Sequence, residues 1–321
     1  MIKFFRSVII MGSLFVLANP SGALAQTGTS TKTCAAGKTT VQILGSAGPF
    51  FTPERASSSY LLWVGGKSRM LVDMGGGAYF RFGQSKAKLG DLAMVGISHL
   101  HPDHVSDLPA LLWVSHRMRK EPLPIFGPSA GKGVPSARGI DYAPDFPTFL
   151  SRLFDPKTGA FMVMGGTFGA KKRNGVRLDV GVIDVLKTES QPVFEGKDLK
   201  VTAIGIPHAN MPTLAYRAET SDGSVVFSSD QTGTNPAFVD FAKNANVLIM
   251  HMQTPVGAKN PLHAAPEVIG RVAQAAQVGR LIVSHIGPRG GKLQAAIAEI
   301  KKSYKGPVTV GADLQCTPVA G

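Results

Sequence analysis

Apolar positions along the chain fall into two successive batches, each with strands first and helices after. Val41 and Ile43, then residues 60–64 and 70–72, predict strands separated by Gly-rich breaks, with Gly45-Ser46-Ala47-Gly48-Pro49 as a turn. Residues 93–97 form an unbroken apolar run that predicts a buried strand. Residues 105–119 carry Leu108, Leu111 and Leu112 at helical spacing. Residues 128–176 are rich in Gly, Pro, Lys and Arg and contain one predicted helix near 146–154. An insertion spanning about 128–198, acting as a lid or a substrate arm, is the expectation. The second batch places strands near 199–206, 214–218, 225–228, 247–250 and 281–283, helices over 266–277 and 293–304, and a strand at 308–310. An α/β fold of two sheets packed face to face, with helices outside, accounts for this order. The halves echo each other: Gly96-Ile97-Ser98-His99 and Ile282-Val283-Ser284-His285 both end a buried strand in Ser-His.

The N-terminal stretch follows a different pattern. A basic start (Lys3, Arg6), a short apolar run over 8–18 and the small residues Ala23-Leu24-Ala25 predict a signal peptide over 1–25. The run is shorter than the roughly 20 residues of a membrane span. Residues 26–321 are then a single exported domain, periplasmic or secreted, with no transmembrane span. Export changes how the cysteines read. Cys34 and Cys316 lie near the two ends of the mature chain, and an oxidising compartment favours a disulfide between them; two free thiols are the alternative. The formal charge is +13, and removing the two cations Lys3 and Arg6 leaves +11, which favours anionic partners. Lys171-Lys172-Arg173 with Arg177 is the densest basic cluster and has the composition of a solvated loop.

The sharpest chemical signal is Ser98-His99-Leu100-His101-Pro102-Asp103-His104, which holds three of the chain's eight histidines. On an extended backbone His99 and His101 point the same way. Asp103 and His104 follow where a helix begins. Imidazole and carboxylate are zinc ligands, and two adjacent sets point to two metal ions.

His-x-His-x-Asp-His after a buried strand resembles the signature of the metallo-β-lactamase superfamily, and His208, Asp230 in "FSSD" and His285 in "IVSHI" follow in that family's order. The segments "LGSAG", "LVDMGGG", "HLHPDHVSDLPALL", "IFGP", "PTLAYR", "FSSDQTG" and "LIMHMQTP" are similar to its ribonuclease Z-like group, which includes cyclic-nucleotide phosphodiesterases and arylsulfatases. The resemblance implies a four-layer αβ/βα sandwich. It also implies one zinc on His99, His101 and His208, a second on Asp103, His104 and His285, and Asp230 bridging them. Manganese and iron are alternatives by ligand type. His263 occupies the position of the family's proton-donating histidine; a packing or supporting role is the alternative. His251 and Asp73 read as residues that orient ligands through hydrogen bonds. Gly75-Gly76-Gly77 fits either backbone amides approaching an anion or a tight turn.

These implications define an exported dinuclear zinc hydrolase that cleaves phosphodiester or related small anionic esters with an ionised, metal-activated water, Asp103 and His263 being its catalytic side chains. Sulfate esters, lactones and β-lactams are alternative substrates of the same site, and a non-catalytic anion-binding module is the alternative of a different class. Met252 stands where the group usually has Glu, Asp107 where Gly is expected, and no arm for gripping transfer RNA is recognisable. Those departures argue against transfer RNA as substrate. The sequence leaves a homo-oligomer open.

Overall fold

The computed structural model describes residues 34, 37–50, 52–113, 115–131, 143–169 and 174–320. The expected signal peptide and the Lys171-Lys172-Arg173 cluster lie outside the described residues. Fourteen strands form two seven-stranded sheets among the described residues. In chain order the first sheet takes β1 (Thr40–Gly45), β2 (Ser59–Val64), β3 (Lys67–Val72), β4 (Met94–Gly96), β5 (Leu123–Pro128) and β6 (Leu178–Ile183). The second takes β7 (Gln191–Glu195), β8 (Lys200–Ile206), β9 (Thr213–Thr220), β10 (Gly223–Phe227), β11 (Val247–His251), β12 (Arg280–Ser284) and β13 (Val308–Val310). The last strand, β14 (Cys316–Pro318), returns to the first sheet beside β1.

Both sheets are built alike. An antiparallel meander, β1-β2-β3 or β7-β8-β9-β10, continues into parallel strands, β4-β5-β6 or β11-β12-β13. The central strands are apolar on both faces because each face is covered. Alternation along a strand sorts its side chains into layers. Tyr60, Leu62, Val201, Tyr216, Phe227 and Ile249 fill the space between the sheets. Leu61, Trp63 and Val95 face outward onto α1 (Ala78–Gln84), α3 (Leu108–Trp113) and α4 (Phe146–Phe154). Val226, Leu248 and Leu281 face α5 (Pro236–Ala242), α6 (Pro266–Ala275) and α7 (Gly291–Ser303) on the other side. This is the expected αβ/βα sandwich. No helix among the described residues is long and apolar enough to cross a membrane.

Two expectations need correction. The single helix over 105–119 is broken into α2 (Pro102–Val105), α3 and a short 3-10 turn at Ser115–Arg117. Pro109 sits in the first turn of α3, where a proline is tolerated only at a helix start. Asp107 is drawn out of the helix: its amide donates to the Met74 carbonyl and its carboxylate accepts from the Tyr79 amide at the start of α1. The stretch expected to leave the core over 128–198 in fact supplies β6 and β7, an edge strand to each sheet.

Cys34 and Cys316 form the disulfide, with Cα atoms 5.7 Å apart across a separation of 282 residues. It ties the segment before β1 to β14, which pairs with β1. Closing so long a loop stabilises by about 5–6 kcal/mol in the chain-entropy account. Replacing both cysteines by serine should therefore lower the thermal midpoint by roughly 5–10 °C in calorimetry, with metal content unchanged.

Candidate metal centre

The chemistry-bearing residues leave the sheets at one edge. Asp73 follows β3, His99 and His101 follow β4, Asp230 follows β10, His251 ends β11 and His285 follows β12. All six lie at or within five residues of the carboxyl end of a strand that pairs in parallel with a neighbour, where α/β sheets place their ligand sites. His208 arrives after β8. Four of the residues that turn the chain here adopt left-handed backbone without being glycine: Asp73 (φ 58°), Ala209 (46°), Ser229 (51°) and His285 (51°). Each such conformation costs on the order of 1–3 kcal/mol and persists because surrounding contacts fix it. Two close approaches demand glycine. A Cβ on Gly75 would overlap the Asp103 carbonyl, and one on Gly48 would overlap the His285 ring. The Gly75 amide donates to the Ser58 carbonyl, so this glycine serves the tight turn and not anion binding.

His99, His101, His104, His208, His251, His263 and His285 converge on the Asp230 carboxylate or the ring of imidazoles around it. Asp230 is buried, and its Oδ2 lies 3.6 Å from both His208 Nε2 and His104 Nε2 and 3.8 Å from His99 Nε2 and His263 Nδ1. Its Oδ1 lies 2.6 Å from His251 Nδ1 and 3.4 Å from His285 Nε2. Two sets of potential ligand atoms result, His99, His101, His208 and Asp230 in one, and His104, Asp230, His251 and His285 in the other, each within a 4.8 Å spread. Asp103 stands at the edge of the second, its Oδ2 3.1 Å from His285 Nε2 and 3.6 Å from His104 Nε2.

Outer hydrogen bonds decide which nitrogen of each ring faces inward. His208 Nδ1 donates to the Leu262 carbonyl at 2.8 Å, which leaves a lone pair on Nε2. His104 Nδ1 meets Asp73 Oδ2 at 2.7 Å, and Asp73 is itself fixed by the Ser98 amide and hydroxyl. His99 Nδ1 lies 3.0 Å from Ser98 Oγ. His99 Nε2 and His208 Nε2 then approach His101 Nδ1 at 3.0 and 3.3 Å. Inward-facing nitrogens at such distances repel unless a proton or a cation lies among them. His104 Nε2, His263 Nδ1 and His285 Nδ1 are buried without a hydrogen-bond partner, a costly state for a polar atom. The donor set therefore fits divalent metal ions held by imidazole and carboxylate.

The electrostatics agree. Burial drives His208, His251 and His263 down to about 4 and lowers His99 and His101, so these rings are neutral at physiological pH. Burial also opposes charge on Asp103, but the hydrogen bond from His285 and the neighbouring imidazoles outweigh it and hold the carboxyl at about 2. Asp230 likewise stays far below the usual carboxylate range: burial works against the anion, and His285, His104 and His251 more than compensate. His104 is the exception. Burial lowers it, yet Asp73 and Asp230 outweigh burial and raise it above its ordinary value, so this ring favours its charged form in the metal-free protein.

All seven residues expected as ligands are thus brought together, with His263, His251 and Asp73 against them. Sequence reasoning missed Ser98, Ser229, the Leu262 carbonyl and Tyr60, whose hydroxyl is 2.8 Å from His251 Nε2. A tyrosine within an apolar strand carries no signal that separates it from core. It also missed Asp313, whose carboxylate gathers the Ser46 amide and hydroxyl, the Ala56 amide and Arg81, and so holds the turn that packs on His285.

Fold and site together define a metal-dependent hydrolase of the metallo-β-lactamase fold. The family model described as a beta-lactamase superfamily domain matches residues 69–286, and the chain belongs to that superfamily. A ribonuclease Z from Mycobacterium bovis is 27% identical over 293 residues, spanning 85% of this chain and 96% of that protein. Among solved structures, the metallo-beta-lactamase fold protein YhfI from Bacillus subtilis superposes with a TM-score of 0.64 at 22% identity, over 87% of this chain and 99% of that one. The short form of human tRNase Z gives 0.63 at 19% identity, with the same coverage of each.

Two outcomes follow from the site. Between about pH 6.5 and about 4 the unfolded chain binds more protons than the folded one at His208, His251 and His263, so stability of the metal-free protein falls as pH drops. Asp103 adds to the loss below about pH 4, whereas His104, raised by Asp73 and Asp230, is protonated in both states across this range and leaves the slope unchanged. Thermal unfolding of chelated protein across that range checks this; a flat profile would contradict it. Asp73→Asn should weaken metal retention by about 10–100-fold in competition with a chromogenic chelator, because His104 loses its charged partner.

Proposed function

We propose that this protein is an exported dinuclear zinc hydrolase that cleaves phosphodiester or closely related bonds in small anionic esters. The observation that carries the reading is the place of Asp230 Oδ2, equidistant at 3.6 Å from an inward nitrogen of each histidine set. In this reading His99, His101 and His208 hold one ion, Asp103, His104 and His285 the other, and Asp230 reaches both. A pair of divalent cations there supplies Lewis acidity and ionises water near neutral pH. Nitrogen-rich donor sets favour zinc over manganese.

The chain's own groups divide the remaining work. Asp103, ionised throughout the working range, orients the nucleophile through the oxygen it does not share with His285. His263 supplies the proton for the departing alkoxide. At about 4 its imidazole is neutral in the metal-free protein, so the protonated donor forms when an anionic ester beside it favours the imidazolium. His251 restrains Asp230, and Asp73 restrains His104.

The disulfide supports export, since such bonds persist in oxidising compartments. The homologues named ribonuclease Z support the bond type. Met252, in the place of the group's usual Glu, is buried in the apolar layer beneath α6, and together with export this favours a small ester over transfer RNA.

Elemental analysis should find about two zinc ions per chain. Hydrolysis of bis(p-nitrophenyl) phosphate should exceed that of an aryl sulfate, a lactone and nitrocefin; preference for one of those three would reassign the bond, and an inert, anion-binding holoprotein would remove the enzymatic reading. His263→Ala should keep both metals yet slow esters with poor leaving groups by about 10²–10⁴-fold, with little effect on activated p-nitrophenyl esters.

A further inference from the structure

A cavity of about 650 Å³ lies between the turn after β1 and the start of α1. Its inner wall adjoins the second ligand set. Pro49 follows Gly48, which packs on the His285 ring, and Gly76 follows Gly75, which packs on the Asp103 carbonyl. Ser57, on the same wall, donates its hydroxyl to the Gly48 carbonyl at 3.2 Å. An ester held beside Asp103 and His285 therefore has this space next to it.

Two aromatic rings line the cavity, Phe50 on the turn and Phe80 in the first turn of α1. They are 69% and 67% exposed, more than any other large apolar side chain among the described residues. A single exposed apolar ring is ordinary, but two that line one cavity beside reactive groups mark a place where apolar surface is to be covered. The only charged residues on the wall are Arg55 and Arg81, and both are committed. Arg55 Nη1 donates to Ser46 Oγ and the Gly311 carbonyl at 2.7 and 2.6 Å. Arg81 donates to Asp313, Gln84 and the Glu54 carbonyl. A second anionic group, such as the next phosphate of a nucleic-acid chain, would find no unengaged cation here; a neutral, flat apolar group finds two rings. The two walls are also held to each other. The Asp313 carboxylate accepts from the Ser46 amide and hydroxyl and the Ala56 amide, so it ties both ends of the turn, and it accepts from Arg81 of α1 at 2.9 Å. Walls fixed in advance lower the ordering cost of binding.

We propose that the cavity lined by Phe50 and Phe80 is a substrate subsite that takes a neutral aromatic substituent of the ester cleaved at the adjoining metal centre. The proposal rests on the hydrolase reading above and narrows its substrates from small anionic esters in general to those carrying an aromatic group and no second anion. Phe50 and Phe80 are then specificity-determining residues: they contact the substituent and leave the reacting atoms to the histidine and aspartate cluster.

Calorimetric titration of the zinc-loaded chain with phenylphosphonate, cyclohexylphosphonate and methylphosphonate reads the subsite without turnover. Phenylphosphonate should bind about tenfold more tightly than methylphosphonate, and Phe50→Ala and Phe80→Ala should each cut that preference by about 2–10-fold while leaving the methyl compound's affinity unchanged. The same variants should raise KM for phenyl p-nitrophenyl phosphate, leave KM for methyl p-nitrophenyl phosphate as it is, and keep kcat for both. Both rings are exposed, so the variants should retain the wild-type thermal midpoint. Phe168→Ala, which removes an exposed ring outside the cavity wall, should match wild type throughout. Wild-type protein that binds phenyl- and methylphosphonate equally or not at all, a cyclohexyl compound bound as tightly as the phenyl one, or variants that keep the full preference would each overturn the aromatic subsite. A phenyl preference lost in both variants, in a protein that hydrolyses neither diester, would keep the binding site and sink the hydrolase reading instead.

Discussion

A carboxylate buried among six imidazoles organises this molecule. Asp230 is 2% exposed and must remain anionic in an environment that penalises charge. Hydrogen bonding from His251 and the positive potential of His104 and His285 make this tenable in the protein alone. Cations seated between the two histidine sets would make it favourable. An isolated buried ion is far more costly than one surrounded by compensating charge. The same constraint explains the outer partners. Asp73, the Leu262 carbonyl and Tyr60 each tie up one ring nitrogen, so the other faces inward.

The sandwich delivers this arrangement because its two sheets present the carboxyl ends of strands at one edge. One sheet brings Asp73 and the His99–His104 segment, and the other brings His208, Asp230, His251 and His285. Their mutual position is fixed directly. Tyr216 of β9 donates to the Ile97 carbonyl at 2.9 Å, and the Leu214 amide donates to the Ser98 carbonyl at 3.0 Å. Tyr60 makes the complementary crossing from β2. The sheets are thus pinned to each other one or two residues from the ligands, and the left-handed turns at Asp73, Ser229 and His285 are held by that packing.

Much of this was legible beforehand, for identifiable reasons. Continuous apolar runs at 60–64, 70–72, 247–250 and 281–283 are what strands covered on both faces require, and they matched β2, β3, β11 and β12 closely. β6 and β7 were missed because they are edge strands whose residues are mostly half-exposed, so their apolar signal is weak against a Gly- and Lys-rich background. The helix over 105–119 was overextended because apolar spacing does not register the pull of Met74 and Tyr79 on Asp107.

By itself the sequence determined the fold class and the clustering of imidazole and carboxylate from His99 to His104, which follow from periodicity and from short-range spacing that the chain encodes locally. Resemblance alone pointed to His208, Asp230 and His285, and the fold brings them to that segment. Only the tertiary structure decided which nitrogen each ring presents, why His251 is satisfied on both sides, and that Tyr60, Asp313 and the Leu262 carbonyl belong to the site at all. These depend on hydrogen bonds between residues dozens to hundreds of positions apart, and such partners carry no mark in the sequence until packing brings them within about 3 Å of one another.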